Sequence, residues 1–287
     1  MATKINEQKL LISEMFYSVQ CEGISTGMPS VFIRLAMCNL SCGFSPKFVR
    51  DFKKDPGTVE AGELVGDLHA EGNASWTCDT MPVWIKGREW EFQEVIDWFK
   101  SEGIYEDILS GAIHIIWTGG EPTIPGHQAS IYNFLMYLSE IEDGIPYVYS
   151  EIETNGTIKF DSLTDEGLIN QVNCSPKLSN SGMPVNQRLR PEVINWLKDL
   201  DEDPQEFGNI KVQFKFVVST EDDIFEMFDT YINPLNIPLD KVICMPGLDS
   251  QEDFHERTRW ILEMAKKYKF RGMTRLHVSA WDKTTGV

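Results

Sequence analysis

Apolar runs separated by glycine, proline and short polar clusters set the plan of this chain. Residues 10–16 predict a strand that runs into S-V-Q-C-E-G (18–23) and a Gly/Pro turn at 27–29. Residues 31–35 predict a second strand, ending just before Cys38. At 90–100, Trp90, Val95, Ile96, Trp98 and Phe99 recur at near-helical spacing and predict an amphipathic helix. Further strands are expected at 112–117, 147–153, 171–174, 212–218, 241–244 and 275–280. They alternate with helices at 130–141, 163–170, 191–200, 222–231 and 253–269, the last expected to be the longest. Strands rich in Val, Ile and Phe that alternate with helices indicate an α/β fold with a parallel sheet. His114, inside the apolar run A-I-H-I-I-W, reads as a packed core histidine rather than a ligand.

The strands end in polar sequences. T-G-G-E-P (118–122), E-T-N-G (153–156), S-P-K (175–177) and M-P-G-L (245–248) each follow one, and Cys38 follows another. Paired glycines let backbone approach a ligand closely, and Glu121 adds an acceptor suited to an ammonium group. In parallel α/β barrels the active site lies at the C-terminal strand ends. Several polar motifs at that one end point to a site there.

The stretch 43–77 breaks the alternation. It holds Pro46, Pro56, five glycines and a mixed-charge run (Arg50, Asp51, Lys53, Lys54, Asp55), and shows no sustained apolar period. It reads as an insertion, either a surface excursion or a lid.

Composition narrows the class. The chain has 287 residues, of which 42% are apolar and 24% charged, enough to build a full core. A net charge of −18 excludes a protein that grips nucleic acid through its phosphates. Six cysteines in this length suggest a reducing compartment, with thiols as ligands or nucleophiles. No basic-then-apolar leader is read, and no apolar run approaches the ~18 residues of a membrane span. The expectation is a soluble cytoplasmic enzyme, with no direct nucleic-acid or membrane partner.

Three cysteines fall in one loop. Cys38 and Cys42 form a C-x3-C pair, and Cys78 follows after 35 further residues. Three thiolates can hold three irons of a [4Fe–4S] cluster and leave one iron open, here for S-adenosylmethionine. Two other readings stand beside it at this point: buried apolar cysteines, and a zinc site, which normally needs a fourth ligand. Cys174 and Cys244 lie in apolar strands and read as core.

Taken in order, F-Y-S-V-Q-C-E-G, G-M-P-S-V-F-I-R-L-A-M-C-N-L-S-C, C-D-T, T-G-G-E-P, E-T-N-G and S-P-K resemble the radical S-adenosylmethionine enzymes, and among them the 7-carboxy-7-deazaguanine synthases. The resemblance covers nearly the whole chain outside the insertion. It implies a modified partial (β/α) barrel in one domain, residues 1–287. It also implies a homodimer, a [4Fe–4S] cluster, S-adenosylmethionine, Mg²⁺ and an electron donor such as flavodoxin or ferredoxin. The implied substrate is 6-carboxy-5,6,7,8-tetrahydropterin, converted to 7-carboxy-7-deazaguanine with loss of ammonia, on the route to queuosine and related bases.

Residue by residue, the resemblance implies Cys38, Cys42 and Cys78 as cluster ligands and Thr80 as the Mg²⁺ contact. Gly119, Gly120 and Glu121 would hold the cofactor's methionine amino group, with Asn155 and Ser175 along the cofactor. Gln20, Glu22, Arg34 and Thr118 would line the pterin; a guanidinium such as Arg34 can clasp a carboxylate in bidentate fashion. No side chain is assigned as a catalytic acid or base. Three features depart from the family pattern. Cys21 replaces a glycine. The long insertion replaces a close spacing of the last two cluster cysteines. Thr77 stands where an aromatic usually precedes the last cysteine, which passes adenine stacking to Trp76. The tail, R-L-H-V-S-A-W-D-K-T-T-G-V, resembles family tails that fold back on the substrate, with His277 and the Val287 carboxylate as contacts. The competing readings are an activase that makes a glycyl radical on a partner protein, and a non-enzymatic zinc-binding scaffold.

Overall fold

The computed structural model describes residues 6–54, 72–142, 147–202, 209–247, 252–282, 284 and 286. The chain starts with β1 (Lys9–Val19) and β2 (Pro29–Leu35), then α1 (Pro46–Lys54), α2 (Met81–Trp84), β3 (Arg88–Glu91), α3 (Phe92–Ser101) and α4 (Tyr105–Leu109). The alternating half follows: β4 (His114–Gly119), α5 (Pro125–Ile141), β5 (Ser150–Thr154), α6 (Asp161–Thr164), β6 (Gln171–Cys174), α7 (Val185–Arg188), α8 (Pro191–Glu202), β7 (Lys211–Val218) and α9 (Glu221–Met227). The π-helical turn Phe228–Ile232 and a short turn at Asn233–Leu235 continue α9. β8 (Val242–Pro246), α10 (Phe254–Tyr268), β9 (Arg271–Gly272) and α11 (Leu276–Trp281) complete it.

One nine-stranded sheet runs β3-β1-β2-β4-β5-β6-β7-β8-β9. β1 is antiparallel to both its neighbours, while β2 and β4 to β9 pair in parallel throughout. The sheet is a partial barrel with free edges at β3 and β9. Its strands alternate with period two. Val31, Ile33, Ile115, Trp117, Ile152, Val172, Phe214 and Phe216 join the apolar core beneath the helices. Phe134 of α5 meets Trp117, Phe99 and Phe92 edge-on, at centroid distances of 5.8, 6.4 and 5.6 Å.

The opposite face of the strands is polar. Glu151, fully buried, accepts from Ser25 Oγ (2.8 Å), Gln171 Nε2 (2.9 Å) and Asn173 Nδ2 (2.9 Å), and pairs with His114 Nδ1 at 2.6 Å. His114 is thus a packed histidine, as its place in the strand predicts, held by a buried carboxylate. The lower lumen is therefore filled by a hydrogen-bonded polar network, in which the buried Gln213 Oε1 alone among these groups lacks a partner.

Several elements differ from the sequence pattern. Trp90 is not helical: β3 pairs with β1, with Leu10 opposite Trp90. The helix starts only at Phe92, behind a Glu91–Glu94 capping box. α5 starts at Pro125, earlier than residue 130, and at 17 residues it outruns the 15-residue α10. Residues 163–170 give only the single turn of α6, Asp161–Thr164. Residues 275–280 form α11, not a final strand, and Val278 is the one residue of that helix that is buried. An alternating pattern with no second apolar face to bury has no strand to join. The insertion also contains a helix. Ser45 Oγ accepts from Phe48 N at 3.1 Å at the start of α1, and Phe44, Phe48 and Phe52 stack at 5.1 and 5.9 Å. Their i, i+4 spacing is an apolar period that the surrounding charges obscure.

Candidate active site

At the C-terminal strand ends, β2 turns sharply into the cysteine loop through Met37, a non-glycine residue at φ 72°. The T-G-G-E-P turn lies directly across this bend. Gly120 N donates to Leu35 O and Glu121 N to Met37 O, both at 2.9 Å. A Cβ on Gly120 would overlap the Met37 carbonyl and sit 2.9 Å from Cys38 N. The motif's second glycine therefore sets where Cys38 lies.

Cys38, Cys42 and Cys78 all face one cavity of about 440 Å³. Cys78 reaches Cys42 across the 35 intervening residues because the insertion is closed at its neck. Cys78 N donates to Cys42 O at 3.1 Å, Gly43 N to Ser181 O at 2.9 Å, and Ser75 N to Asn180 O at 2.9 Å. Trp76 Nε1 adds a bond to Asn180 Oδ1 at 3.0 Å. Gly43 has φ +85°, and a Cβ there would lie 2.5 Å from Thr77 Cα.

The thiols suit an iron–sulfur cluster. None is in a disulfide, and Leu40 N points at Cys38 Sγ at 3.4 Å, the kind of donor that supports a cluster sulfur. Burial pushes Cys42 up to about 12, against an opposing pull from Lys177, and pushes Cys38 well above the ordinary thiol range. Neutral in isolation, these groups await a strong positive charge to become thiolates. The three thiols line the same cavity.

Glu121 is less available than its position in the motif suggests. Fully buried, its Oε1 accepts from Thr123 N (3.1 Å), Thr123 Oγ1 (2.6 Å) and Thr154 Oγ1 (2.7 Å), and its Oε2 from Asn155 N (2.8 Å). It ties the end of β4 to the end of β5 and still lines the cavity. Burial raises its pKa, and these bonds oppose the rise. Asn155 donates to Asn39 Oδ1 at 2.8 Å, and Ser175 Oγ accepts from Lys177 Nζ at 2.9 Å. Trp76 lines the same wall with Lys177 Nζ 5.7 Å from its ring, and Thr80 Oγ1 lies 3.4 Å from Cys78 Sγ.

The cavity also holds a charge network. Lys215 Nζ lies 2.5 Å from Glu22 Oε2 and 4.0 Å from Glu153 Oε1. Arg275 Nε reaches Glu22 Oε1 at 3.1 Å, and its Nη2 pairs with Asp79, between Cys78 and Thr80. Glu153 also accepts from Gln20 Nε2 at 3.2 Å and Thr118 Oγ1 at 3.0 Å. Burial alone would raise the Glu22 carboxyl; Lys215 and Arg275 more than offset it and hold it well below the carboxylate range. Arg34 is held by Glu14 through Nε at 2.9 Å, and its guanidinium lies 5.8 Å from the Phe16 ring. Phe16 and Phe32, stacked at 4.9 Å, line the cavity as well.

Thus every expected site residue from Gln20 to His277 faces this one cavity. Val287 lies outside the described residues. Burial, then Arg275, lowers the His277 pKa. Cys21 donates to Val19 O at 3.3 Å and is pushed up to about 11 by burial and then Glu22, so its thiol is protonated at neutral pH. Sequence reading missed Lys215, Arg275, Asp79 and Glu153. A lysine inside the apolar strand V-Q-F-K-F was the available signal for the first.

No family model matches the chain. Curated relatives do. A 7-carboxy-7-deazaguanine synthase from Pyrobaculum aerophilum is 28% identical over 280 residues, covering 97% of both chains. One from Rhodopirellula baltica is 29% identical over 281 residues, covering 91% of this chain and 82% of its own. One from Halobacterium salinarum is 23% identical over 286 residues, covering 95% and 91%. Over nearly its whole length this chain is similar to 7-carboxy-7-deazaguanine synthases. The fold agrees: the crystal structure of QueE from Escherichia coli superposes with a TM-score of 0.55 at 20% identity, covering 94% of this chain and 95% of that one. No helix among the described residues is long and apolar enough to cross a membrane.

Proposed function

We propose that this chain converts 6-carboxy-5,6,7,8-tetrahydropterin to 7-carboxy-7-deazaguanine with loss of ammonia, in 7-deazapurine (queuosine-type) biosynthesis. The observation that carries the proposal is that three thiols and a dense cation–carboxylate network line one cavity together with stacked Phe16 and Phe32. Flat rings suit a bicyclic substrate, and the charged wall suits one with a carboxylate and a guanidine-like edge. A bound cluster and S-adenosylmethionine supply the radical that starts the reaction; the protein's part is placement and shielding.

Cys38, Cys42 and Cys78 would hold the cluster and Thr80 the Mg²⁺. Gly119, Gly120, Glu121, Asn155, Ser175 and Trp76 would bed the cofactor. Arg34, fixed at Nε by Glu14, keeps its two terminal nitrogens for the substrate carboxylate. Gln20 and Thr118, both bound to Glu153, present the remaining polar edge, and Glu22 stays ionised between two cations. His277 and the Val287 carboxylate would close the site from the tail. We read residues 1–287 as one domain with 43–77 inserted, acting in the cytoplasm as a homodimer. Exposed Tyr17 and Trp281 border a shallow depression with Val19 and Pro29 that suits a second copy.

Arg34→Gln is expected to separate the two halves of the site. Pterin conversion should fall by about 100-fold, the scale of a lost positioning contact. Cluster content and slow deoxyadenosine formation without pterin should stay within about twofold of wild type. Anaerobic product analysis of both reactions checks this, and unchanged pterin conversion would remove Arg34 from the substrate site.

A further inference from the structure

The insertion is closed at its neck by residues that belong to the cluster loop, so α1 is not needed to bring Cys78 to Cys42. It must be explained otherwise. Its apolar face, Phe48, Val49 and Phe52, packs on Phe44, Met81, Trp84 and Ile85, and Cys38 and Cys78 touch that same apolar group. Two of the three cluster cysteines thus share an apolar group with α1. The outer face has the opposite character from the rest of the molecule. The chain carries 44 acidic against 26 basic residues, whereas residues 46–54 hold four basic residues and one acidic one. Lys47, Arg50 and Lys54 are exposed and fall at i, i+3 and i+7 on one stripe. Lys54 is tied to Asp51 at 2.9 Å; Lys47 and Arg50 make no ion pair among the described residues. Asp51 also feels the charge of Arg50, so one carboxylate offsets part of the stripe and the helix keeps a net positive outer face.

We propose that the exposed stripe of α1 is the docking surface for a small acidic one-electron donor protein of the flavodoxin kind. The inference rests on the radical-enzyme reading, which requires one electron to pass from a donor, oxidised by one, to the cluster, reduced by one. Two acidic proteins repel at long range, so association needs a local patch of opposite sign, and such patches set encounter rate and orientation more than buried contacts do. The stripe spans roughly 10 Å along the helix axis, at 1.5 Å per residue, on the outer side of the helix that shares an apolar group with Cys38 and Cys78. A nucleic acid would need a far larger basic face than this chain possesses.

The test is anaerobic binding of a flavodoxin to the cluster-loaded chain, wild type against Lys47→Glu/Arg50→Glu/Lys54→Glu and the corresponding triple Gln variant, at low and physiological salt. Wild-type affinity should weaken steeply with salt. Charge reversal should weaken it by at least about tenfold at low salt and flatten the salt dependence, with the Gln variant in between. Cluster absorbance and dithionite-driven turnover should stay within about twofold. Equal flavodoxin affinity in wild type and either variant overturns the proposal. So does the case in which reversal is without effect until residues 55–71, which contain Asp55, Glu60, Glu63, Asp67 and Glu71, are deleted, because the stripe then serves the chain itself. If charge reversal disturbs the cluster, the Gln variant alone decides. Absence of 7-carboxy-7-deazaguanine from dithionite-driven wild type would defeat the substrate reading and leave the binding result standing.

Discussion

Gly120→Ala should largely empty the cluster site. The added methyl group would overlap the Met37 carbonyl and lie 2.9 Å from Cys38 N. Those are backbone atoms, so no side chain can swing away. Moving them breaks the bonds Gly120 N to Leu35 O and Glu121 N to Met37 O and shifts a residue already held at φ 72°. Steric conflict of this kind costs about 3 kcal/mol or more, which for a chain of this size lowers Tm by roughly 6–12 °C. Iron and sulfide content should fall several-fold, and deoxyadenosine formation with it. Gly27→Ala is the control. Gly27 has φ +91° with nothing within 4 Å, so only the left-handed backbone is penalised, about 1 kcal/mol, and cluster content should be normal. A Gly120→Ala protein with wild-type iron content and Tm would mean that the turn does not set the position of Cys38.

Lys215→Met should have a comparable effect on turnover by a different route. Lys215 is buried and faces two carboxylates, Glu22 at 2.5 Å and Glu153 at 4.0 Å. Deleting one partner of a buried ion pair costs about 3–5 kcal/mol, because the other charge is left uncompensated. The pH dependence identifies the cause. In the wild type the Glu22 carboxyl is held below its ordinary value by Lys215 and Arg275, against burial. Its contribution is therefore complete above the unfolded carboxylate pKa and is lost only as pH falls into the acid range. Lys215 is raised, since Glu22 and then Glu153 outweigh the lowering by burial. Its contribution is complete below its unfolded pKa and is lost as pH climbs through the folded value. The contribution of this pair to wild-type stability should thus be flat from pH 5 to 8. In the variant, burial raises the Glu22 carboxyl with Arg275 and His277 left to oppose it, and protonation on going from pH 8 to 5 relieves the charge left without Lys215. The stability gap between the two proteins, measured by urea unfolding, should be widest at pH 8 and narrow towards pH 5. Pterin conversion should fall by about 100-fold as Gln20, Glu22 and Glu153 lose their shared anchor. A small gap, independent of pH, would show that the network does not hold these carboxylates.

The parts of the site that could be read from the sequence are those that combine a strand with the motif at its end. Thr118 to Glu121, Asn155 and Ser175 meet at the cavity because parallel strands deliver their C-terminal ends to one rim. Cys38 and Cys42 follow from the same rule. The charge network could not be read this way. Glu22 lies 193 residues from Lys215 and 253 from Arg275, and no local period encodes such pairs. Arg275 to Ala280 alternates like a strand, but only Val278 has a core to enter, and the Arg275 guanidinium is drawn to Glu22 and Asp79 instead. The polar lower lumen was hidden as well: Glu151 and Asn173 stand in the short, largely polar strands S-E-I-E-T and Q-V-N-C, and only the pleat reveals that they point inward together. α1 was missed because its aromatic spacing is short and embedded in charge.

The central claim is that one cavity brings a radical-generating cluster to a carboxylated pterin. Anaerobic incubation of cluster-loaded protein with reductant, Mg²⁺ and S-adenosylmethionine, with and without 6-carboxytetrahydropterin, tests it most directly. Mass spectrometry should detect 7-carboxy-7-deazaguanine together with released ammonia only when the pterin is present. Deoxyadenosine formed without that product, in protein with a full complement of iron and sulfide, would contradict the account and assign the charged wall to another substrate.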